Sequence, residues 1–451
     1  MPELNFTPEQ RAAIDTRGST VLVSAAAGSG KTRVLTERLM AYLTDAEHPV
    51  DIDHFLVITY TRAAAAELRS RILDGIYARI ASDPENRRLR RQVALCARAE
   101  IGTIHSFCAD FLRANCAALA LAPDFQVADT ERCAALRAAA LEHTLDRAYT
   151  RLDTDAPFRL LADTVGGGRD DARLGELVLS LYDKMQCHAR PEQWAQRQVD
   201  LLALDGVTDA GTTPWGQALL ARVRESAAHW AGVLDKQLDI MAAQDMAWLY
   251  GIYGTSFAET ADGLRAVVRA CDQSWDAAVA ALQNVPFPRL GSTRKPPDPD
   301  VRDRVKAQRD AAKKAIQALQ KQINVPSAQA LADLHTTAPA MQALLALTLD
   351  FGAAYAAEKR RRSLVDFSDL EHMTAQLLTD DDGAPTELAR QLSGRYTEIM
   401  VDEYQDVSEV QDLIFRAVSH DGNNLFFVGD VKQSIYRFRL ADPTIFLDKY
   451  A

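Results

Sequence analysis

The sequence predicts an α/β fold in which a parallel-sheet domain is interrupted by a large, mostly α-helical insertion domain and then resumed. Three observations predict it. Short, near-continuous apolar runs (Val21-Leu22-Val23, Phe55-Leu56-Val57-Ile58-Thr59, Ile399-Met400-Val401 and Leu425-Phe426-Phe427-Val428) are each followed by a loop and a helical pattern, as expected of strands buried on both faces. Between about residues 110 and 360 the texture changes to Ala, Leu, Arg and Gln at helical spacing, as in "CAALRAAALEHTLDRAY". Finally, "SAAAGSGKT" (24–32) follows the first apolar run and leads into a helical stretch. The expected division is a first α/β part over 1–112, a helical insertion over 113–355 and a second α/β part over 356–451.

Each element follows from local chemistry. The run at 21–23 and the loop after it make a strand, a small-residue turn and a helix start at Lys31. The run at 55–59 is the second strand. Inside the helical region, "VGGGRDD" (165–171) reads as a turn between helices, and "NVPFPRLGSTRKPPDPD" (284–300) as an irregular Pro-rich loop. The stretch "VRDRVKAQRDAAKKAIQALQKQI" is expected to form a long charged helix packed on one side through Val305, Ala312, Ile316 and Leu319. The runs at 399–401 and 425–428 then resume the sheet.

A chain of 451 residues exceeds one ordinary core, so two or three domains are expected. With 47% hydrophobic and 25% charged residues, the composition excludes a disordered or fibrous chain. No stretch is expected to be long and apolar enough to cross a bilayer, and the N-terminus lacks the basic start and apolar core of a signal peptide. The six cysteines form no Cys-x-x-Cys pair and are read as reduced thiols of a cytoplasmic protein. A net charge of -11 argues against holding nucleic acid by bulk charge and leaves room for a local basic groove.

The chemistry sits at two strand ends. A loop that closes on Gly30-Lys31-Thr32 at a helix start cradles phosphates with backbone N–H groups, while Lys31 reaches the outer phosphates and the Thr32 hydroxyl is suited to Mg²⁺. Ala25 stands where the usual motif has glycine. Only the closest approaches to phosphate demand glycine, and Gly28 and Gly30 remain. The stretch "EIMVDEYQD" (398–406) puts Asp402 and Glu403 at the end of an apolar strand, where one carboxylate supports the metal and its neighbour orients and deprotonates the attacking water. Together these make half of a nucleoside triphosphatase site, with ATP the expected nucleotide and Mg²⁺ the expected metal.

Six stretches in order then resemble the motifs of UvrD/Rep-like superfamily 1 DNA helicases. They are "FTPEQRAAI" (6–14), "AAAGSGKT", "ITYTRAAAAELRSRI", "IGTIHSFC", "VDEYQD" and "FFVGDVKQSIYRFRLAD". Within that superfamily, "VGDVKQSIYRFRLADPTIFLDKY", "GGGRDDARLGELVLSLYDK" with "RPEQW" after it, and "KRRRSLVDFSDLEHM" (359–373) resemble the AddA-type helicase/nuclease subunits of AddAB recombination complexes; a RecB-type chain fits less well over 165–194.

The resemblance implies a RecA-like P-loop NTPase domain and a set of roles. Gln10 would read adenine, and Ala25, Ala26, Gly28, Ser29, Gly30, Lys31, Thr32 and Arg33 would hold the nucleotide. Thr32 and Asp402 would hold Mg²⁺, with Glu403, Lys31 and Gln433 catalytic, Gln433 sensing the γ-phosphate. Tyr60, Thr61, Arg62, Thr103, His105, Tyr436, Phe438 and Arg439 would face DNA. Interleaved rings and guanidinium groups, as in "YRFRL", grip single strands by stacking and by phosphate contacts without reading sequence. Tyr60 and Arg62 replace the family's usual Phe and Asn, and Phe438 replaces a Trp of UvrD, which predicts altered strength rather than lost function.

By the same resemblance the parent protein is an ATP-dependent 3′-to-5′ DNA helicase/nuclease that processes double-strand DNA ends for recombinational repair. Its expected partner is an AddB-like subunit, in a heterodimer, and its expected location is the bacterial cytoplasm, at the nucleoid when acting. No second RecA-like domain or nuclease motif follows motif III, so the chain is expected to be the N-terminal portion of such a protein. Two other readings stay open: a stand-alone nucleotide-gated DNA-binding module, and a non-catalytic scaffold for a partner subunit.

Overall fold

The computed structural model describes residues 6–26, 28–166, 172–243, 246–292, 296–433 and 443–449. The chain divides into two compact units, one made of Met1–Ala195 with Leu344–Ala451 and the other of Gln196–Ala343. The second unit is narrower than the expected helical stretch 113–355, because residues 113–195 and 344–355 belong to the unit that holds the main sheet.

In the first unit the strands are β1 (Val21–Ser24), β2 (Phe55–Thr59), β3 (Glu100–Thr103), β4 (Gln126–Val127), β5 (Leu364–Val365), β6 (Glu398–Val401) and β7 (Leu425–Gly429). Five of them form one parallel sheet in the order β1-β7-β6-β2-β3. The strands from the end of the chain therefore fill the two places between β1 and β2, so residues 1–112 alone cannot complete the sheet. β4 and β5 pair separately, in parallel.

Side chains alternate across the main sheet, as the two-residue strand period requires. Phe55, Val57, Met400, Phe426 and Val428 enter a core with Val34, Leu35, Leu39 and Ile72, whereas Leu56, Ile58, Ile399, Val401, Leu425 and Phe427 enter another with Ile104, Cys108 and Leu112. Each of β2, β6 and β7 is buried along its whole length, which explains their unbroken apolar runs. β3 is an edge strand of alternating burial whose sequence, Glu-Ile-Gly-Thr, carries one large apolar residue, and its signal is correspondingly weak.

The helices that position the site are α1 (Pro8–Asp15), α2 (Lys31–Leu43), α3 (Arg62–Ser82), α4 (Arg87–Cys96) and α5 (Ile104–Ala114). Thr7 caps α1 in a reciprocal capping box with Gln10, Thr61 caps α3, and Thr103 caps α5 in a box with Ser106.

The second unit is helical. Helices Pro214–Ala242 and Ala247–Cys271 pack along one another around Leu220, Val223, Leu234, Phe257 and Leu264. The charged helix Pro299–Gln322 buries Val305, Ala312, Ile316 and Leu319 as its pattern predicts, and also Arg309, whose guanidinium donates to the Pro288 carbonyl at 2.5 Å.

One expectation needs correction. The helix Ser327–Arg361 is long and apolar enough, by length and composition, to cross a bilayer. Part of it lies in a protein core: Phe351 and Tyr355 are fully buried and pack on Tyr182, and Lys359 is buried near its end.

Candidate nucleotide site and nucleic-acid cleft

All the sheet's strands run the same way, so their carboxyl ends share one edge, the place where open α/β sheets bind ligands. At that edge β1 delivers the phosphate loop, β2 delivers Tyr60 and Thr61, β6 delivers Asp402 and Glu403, and β7 delivers Asp430.

The loop's backbone answers the question of Ala25. Positive φ occurs at Gly28 (76°) and Gly30 (84°), not at Ala25 or Ala26, so the alanines stand where an L side chain is unstrained. The Ala25 N–H donates to the Gly429 carbonyl at 3.1 Å and extends the pairing of β1 with β7, while the Ser29 N–H closes a turn on the Ala26 carbonyl at 3.2 Å. Gly30 is the N-cap of α2 and has no side chain to satisfy the first amides, which leaves them for an anion. Arg33 is exposed on the first turn of that helix. Gln10 reaches the loop from α1: its Nε2 donates to the Ser29 carbonyl at 3.0 Å, and its Oε1 accepts from the Thr7 N–H at 3.0 Å.

Lys31 lies at the start of α2 with its Nζ 3.5 Å from Glu403 Oε2. Beyond this ion pair that buried nitrogen donates no hydrogen bond among the described residues, which leaves its N–H donors for a further anion. Glu403 itself has φ 55°, an uncommon conformation for a residue with a side chain, and it aims its carboxylate at the loop. Three contacts hold the turn in place. The Asp402 N–H donates to the Ile58 carbonyl at 2.9 Å, Gln405 Nε2 donates to Glu403 Oε2 at 2.8 Å, and the Asp430 N–H donates to Gln405 Oε1 at 2.9 Å. Tyr404 anchors the same turn from below by stacking on Phe427, with ring centroids 3.9 Å apart.

Burial, and then the neighbouring Glu403 carboxylate, push Asp402 up to about 6. The same two causes, in the same order, push Asp406 up to about 6. Burial and the Glu403 charge thus disfavour ionisation of Asp402 and Asp406, and a divalent cation bound between them would reverse this. A cleft of about 640 Å³ opens beside them, walled by Thr32, Tyr60, Asp402, Glu403, Asp406 and Lys432.

A second cleft, of about 820 Å³, collects Tyr60, Arg62, Thr103 and His105, four of the residues expected to face DNA. Tyr60 lines both clefts. Thr61 is exposed and spends its hydroxyl on capping α3, and Thr103 is buried with its hydroxyl capping α5. Reasoning from sequence missed Phe367, Glu371 and Gln411 on the same walls, although the stretch 359–373 had marked the first two as part of a motif. Phe367 is 49% exposed, and its ring lies 4.6 Å from that of His105. Gln433 ends the short turn Val431–Gln433, whereas Tyr436, Phe438 and Arg439 lie outside the described residues.

Fold and site together define a phosphate-loop α/β domain with a second, ring-lined cleft beside the nucleotide edge. The chain belongs to the UvrD/REP helicase family: the profile of the UvrD/REP helicase N-terminal domain matches residues 6–451. It is similar to proteins named as ATP-dependent helicase/nuclease subunits. Over 460 residues it is 36% identical to that of Ruminiclostridium cellulolyticum, covering 100% of this chain and 37% of that protein. Over 460 residues it is 39% identical to that of Pelotomaculum thermopropionicum, covering 99% and 36%. Over 456 residues it is 38% identical to that of Geobacillus thermodenitrificans, again covering 99% and 36%. The chain thus spans a little over a third of the length of these curated relatives.

Proposed function

We propose that this chain is the N-terminal motor portion of an AddA-like, ATP-dependent 3′-to-5′ DNA helicase/nuclease that acts on double-strand ends in recombinational repair. An AddB-like subunit is its partner, and the bacterial cytoplasm its place of action. In this reading the helical unit 196–343 is an insertion within a RecA-like domain. The observation that carries the proposal is the approach of Lys31 Nζ to Glu403 Oε2 at 3.5 Å, which sets the phosphate-loop cation against the carboxylate pair across one strand edge.

The residues fit Mg-ATP. A buried ammonium with no hydrogen-bond acceptor among the described residues and a helix start without a side-chain cap both favour an anion, and Asp402 beside Glu403 favours a divalent cation. Thr32 and Asp402 would hold Mg²⁺, which supplies charge neutralisation on the outer phosphates when bound. Lys31 binds the phosphate oxygens, Glu403 orients the attacking water and accepts its proton at a carboxylate oxygen, and Gln10 closes the loop side. Single-stranded DNA would stack on the aromatic groups of the second cleft and lay its phosphates on Arg62.

Phosphoryl transfer needs charge stabilisation from both lobes of such a motor. In this reading the chain by itself binds ATP and single strands, with little unwinding. Calorimetry of Mg-ATP binding, with Lys31→Ala beside the wild type and an oligo-dT strand added in a second series, tests the reading. Binding that disappears in Lys31→Ala supports it, and equal binding by the two proteins overturns it.

A further inference from the structure

The nucleotide edge and the ring-lined cleft are joined by a short line of side chains. Glu371, on the helix Phe367–Leu378, is 8% exposed, and its Oε1 accepts from Gln411 Nε2 at 2.6 Å. The same oxygen lies 3.0 Å from His105 Nε2. Gln411 sits in the first turn of the helix Glu409–Ala417, where its N–H donates to the capping Ser408 hydroxyl at 3.3 Å. Ser408 follows the turn Tyr404–Asp406 by two residues, and that turn carries the Gln405 amide bonded to Glu403. On the other side, the His105 ring packs on Phe367 in the cleft wall.

A carboxylate on the wall of a cleft that takes a polyanion repels its ligand. Glu371 is turned inward instead and satisfied by two partners, so its role is to hold them. Its own backbone is fixed as well. Lys359 Nζ lies 2.8 Å from Asp366 Oδ2 and 2.6 Å from Asp369 Oδ2, and clamps the start of the helix on which Glu371 stands. The link from the helix Glu409–Ala417 to His105 thus runs through the side chain of Glu371.

Resting on the function proposed above, we propose that Glu371 is a positioning residue that couples the nucleotide turn to the DNA cleft through Gln411 and His105. Nucleotide at Lys31 and Glu403 biases the turn and the helix after it. Glu371 transmits that bias to the ring pair of His105 and Phe367, and the grip on single-stranded DNA changes with nucleotide state.

The test is the Kd for fluorescent oligo-dT, measured with and without Mg²⁺ and a non-hydrolysable ATP analogue, on the full chain. Wild type is expected to show a shift of about fivefold or more between the two states. Glu371→Ala and Gln411→Ala bring that ratio to within about twofold of unity, and Glu371→Gln, which keeps an acceptor for Gln411, retains most of it. ATP affinity without DNA stays within about twofold of wild type in Glu371→Ala, measured by calorimetry. Retention of the full ratio in both alanine variants overturns the proposal. So does a parallel loss of both ligands with the ratio intact, which marks a purely structural role, and so does a wild type that binds both ligands with no shift. A wild type that binds neither ligand overturns the underlying function, and this coupling with it.

Discussion

Arg38 and Glu398, 360 residues apart in the chain, form a fully buried two-point ion pair in which Arg38 Nε donates to Glu398 Oε2 at 2.8 Å and Nη2 to Oε1. Arg38 also donates to the Ala13 carbonyl at 2.6 Å, and Tyr42 donates to Glu398 Oε1 at 3.1 Å. One guanidinium thus ties the end of α1, the body of α2 and the first residue of β6 together, behind the phosphate loop and the carboxylate pair. Removing one partner leaves the other charged and buried, so Arg38→Met should lower unfolding free energy by about 3–5 kcal/mol. The double variant Arg38→Met, Glu398→Met should recover at least about 1–2 kcal/mol of that, because no lone charge remains. Urea denaturation of both variants checks the prediction, and a double variant less stable than the single would refute it.

Asp406 makes stability depend on pH in a stated direction. Its carboxyl is raised to about 6 by burial and by Glu403, against about 3.9 in an unfolded chain. An acid whose folded-state value is raised favours the folded state fully below the unfolded value, and this contribution is lost as pH rises through about 6. Asp406→Asn does not titrate in this window. The variant should therefore gain about 1–3 kcal/mol relative to wild type between pH 4 and pH 8, with little difference at pH 4. Chemical denaturation at the two pH values measures this, and a constant difference would show that Asp406 is not the titrating group.

Phe367 offers a large, half-exposed ring on the wall of the second cleft, 4.6 Å from the His105 ring. An exposed ring there gains little for folding and much for a stacked base. Phe367→Ala should weaken oligo-dT binding by about 1–3 kcal/mol while shifting Tm very little. Fluorescence anisotropy beside a thermal melt separates the two effects. A fall in Tm with unchanged DNA affinity would assign the ring to packing.

How far the sequence led depends on how local each signal was. The strands β1, β2, β6 and β7 are legible because burial on both faces demands unbroken apolar runs, as in Phe55–Thr59. β3 escapes because this edge strand offers a single large apolar residue, Ile101. Asp402 and Glu403 are legible because they end an apolar run that names its strand, and Lys31 because a small-residue loop links such a run to a helix start. The ion pair of Arg38 with Glu398, the burial of Arg309 and the bonds of Glu371 are not. Each charged residue looks like part of a solvated face until a partner distant in sequence is known. The resemblance marked residues 359–373 as a motif, and only the packing of Phe367 on His105 shows which cleft that motif serves.

Gln10 brings the last prediction, because its amide serves two masters. The resemblance assigns it to adenine, while both ends of the amide are engaged here, Nε2 with the Ser29 carbonyl at 3.0 Å and Oε1 with the Thr7 N–H at 3.0 Å. If the amide only braced the loop, Gln10→Ala would weaken every nucleotide alike, since all share the phosphates that the loop holds. If the amide also exchanges these bonds for the base edge, the loss falls chiefly on adenine nucleotides. A hydrogen bond made to one base and not to another is worth about 1 kcal/mol, or roughly fivefold in affinity. We expect Gln10→Ala to lower ATP affinity about fivefold more than GTP affinity in paired calorimetric titrations. Equal losses for the two nucleotides would assign Gln10 to loop support, and leave recognition of the base to residues other than this one.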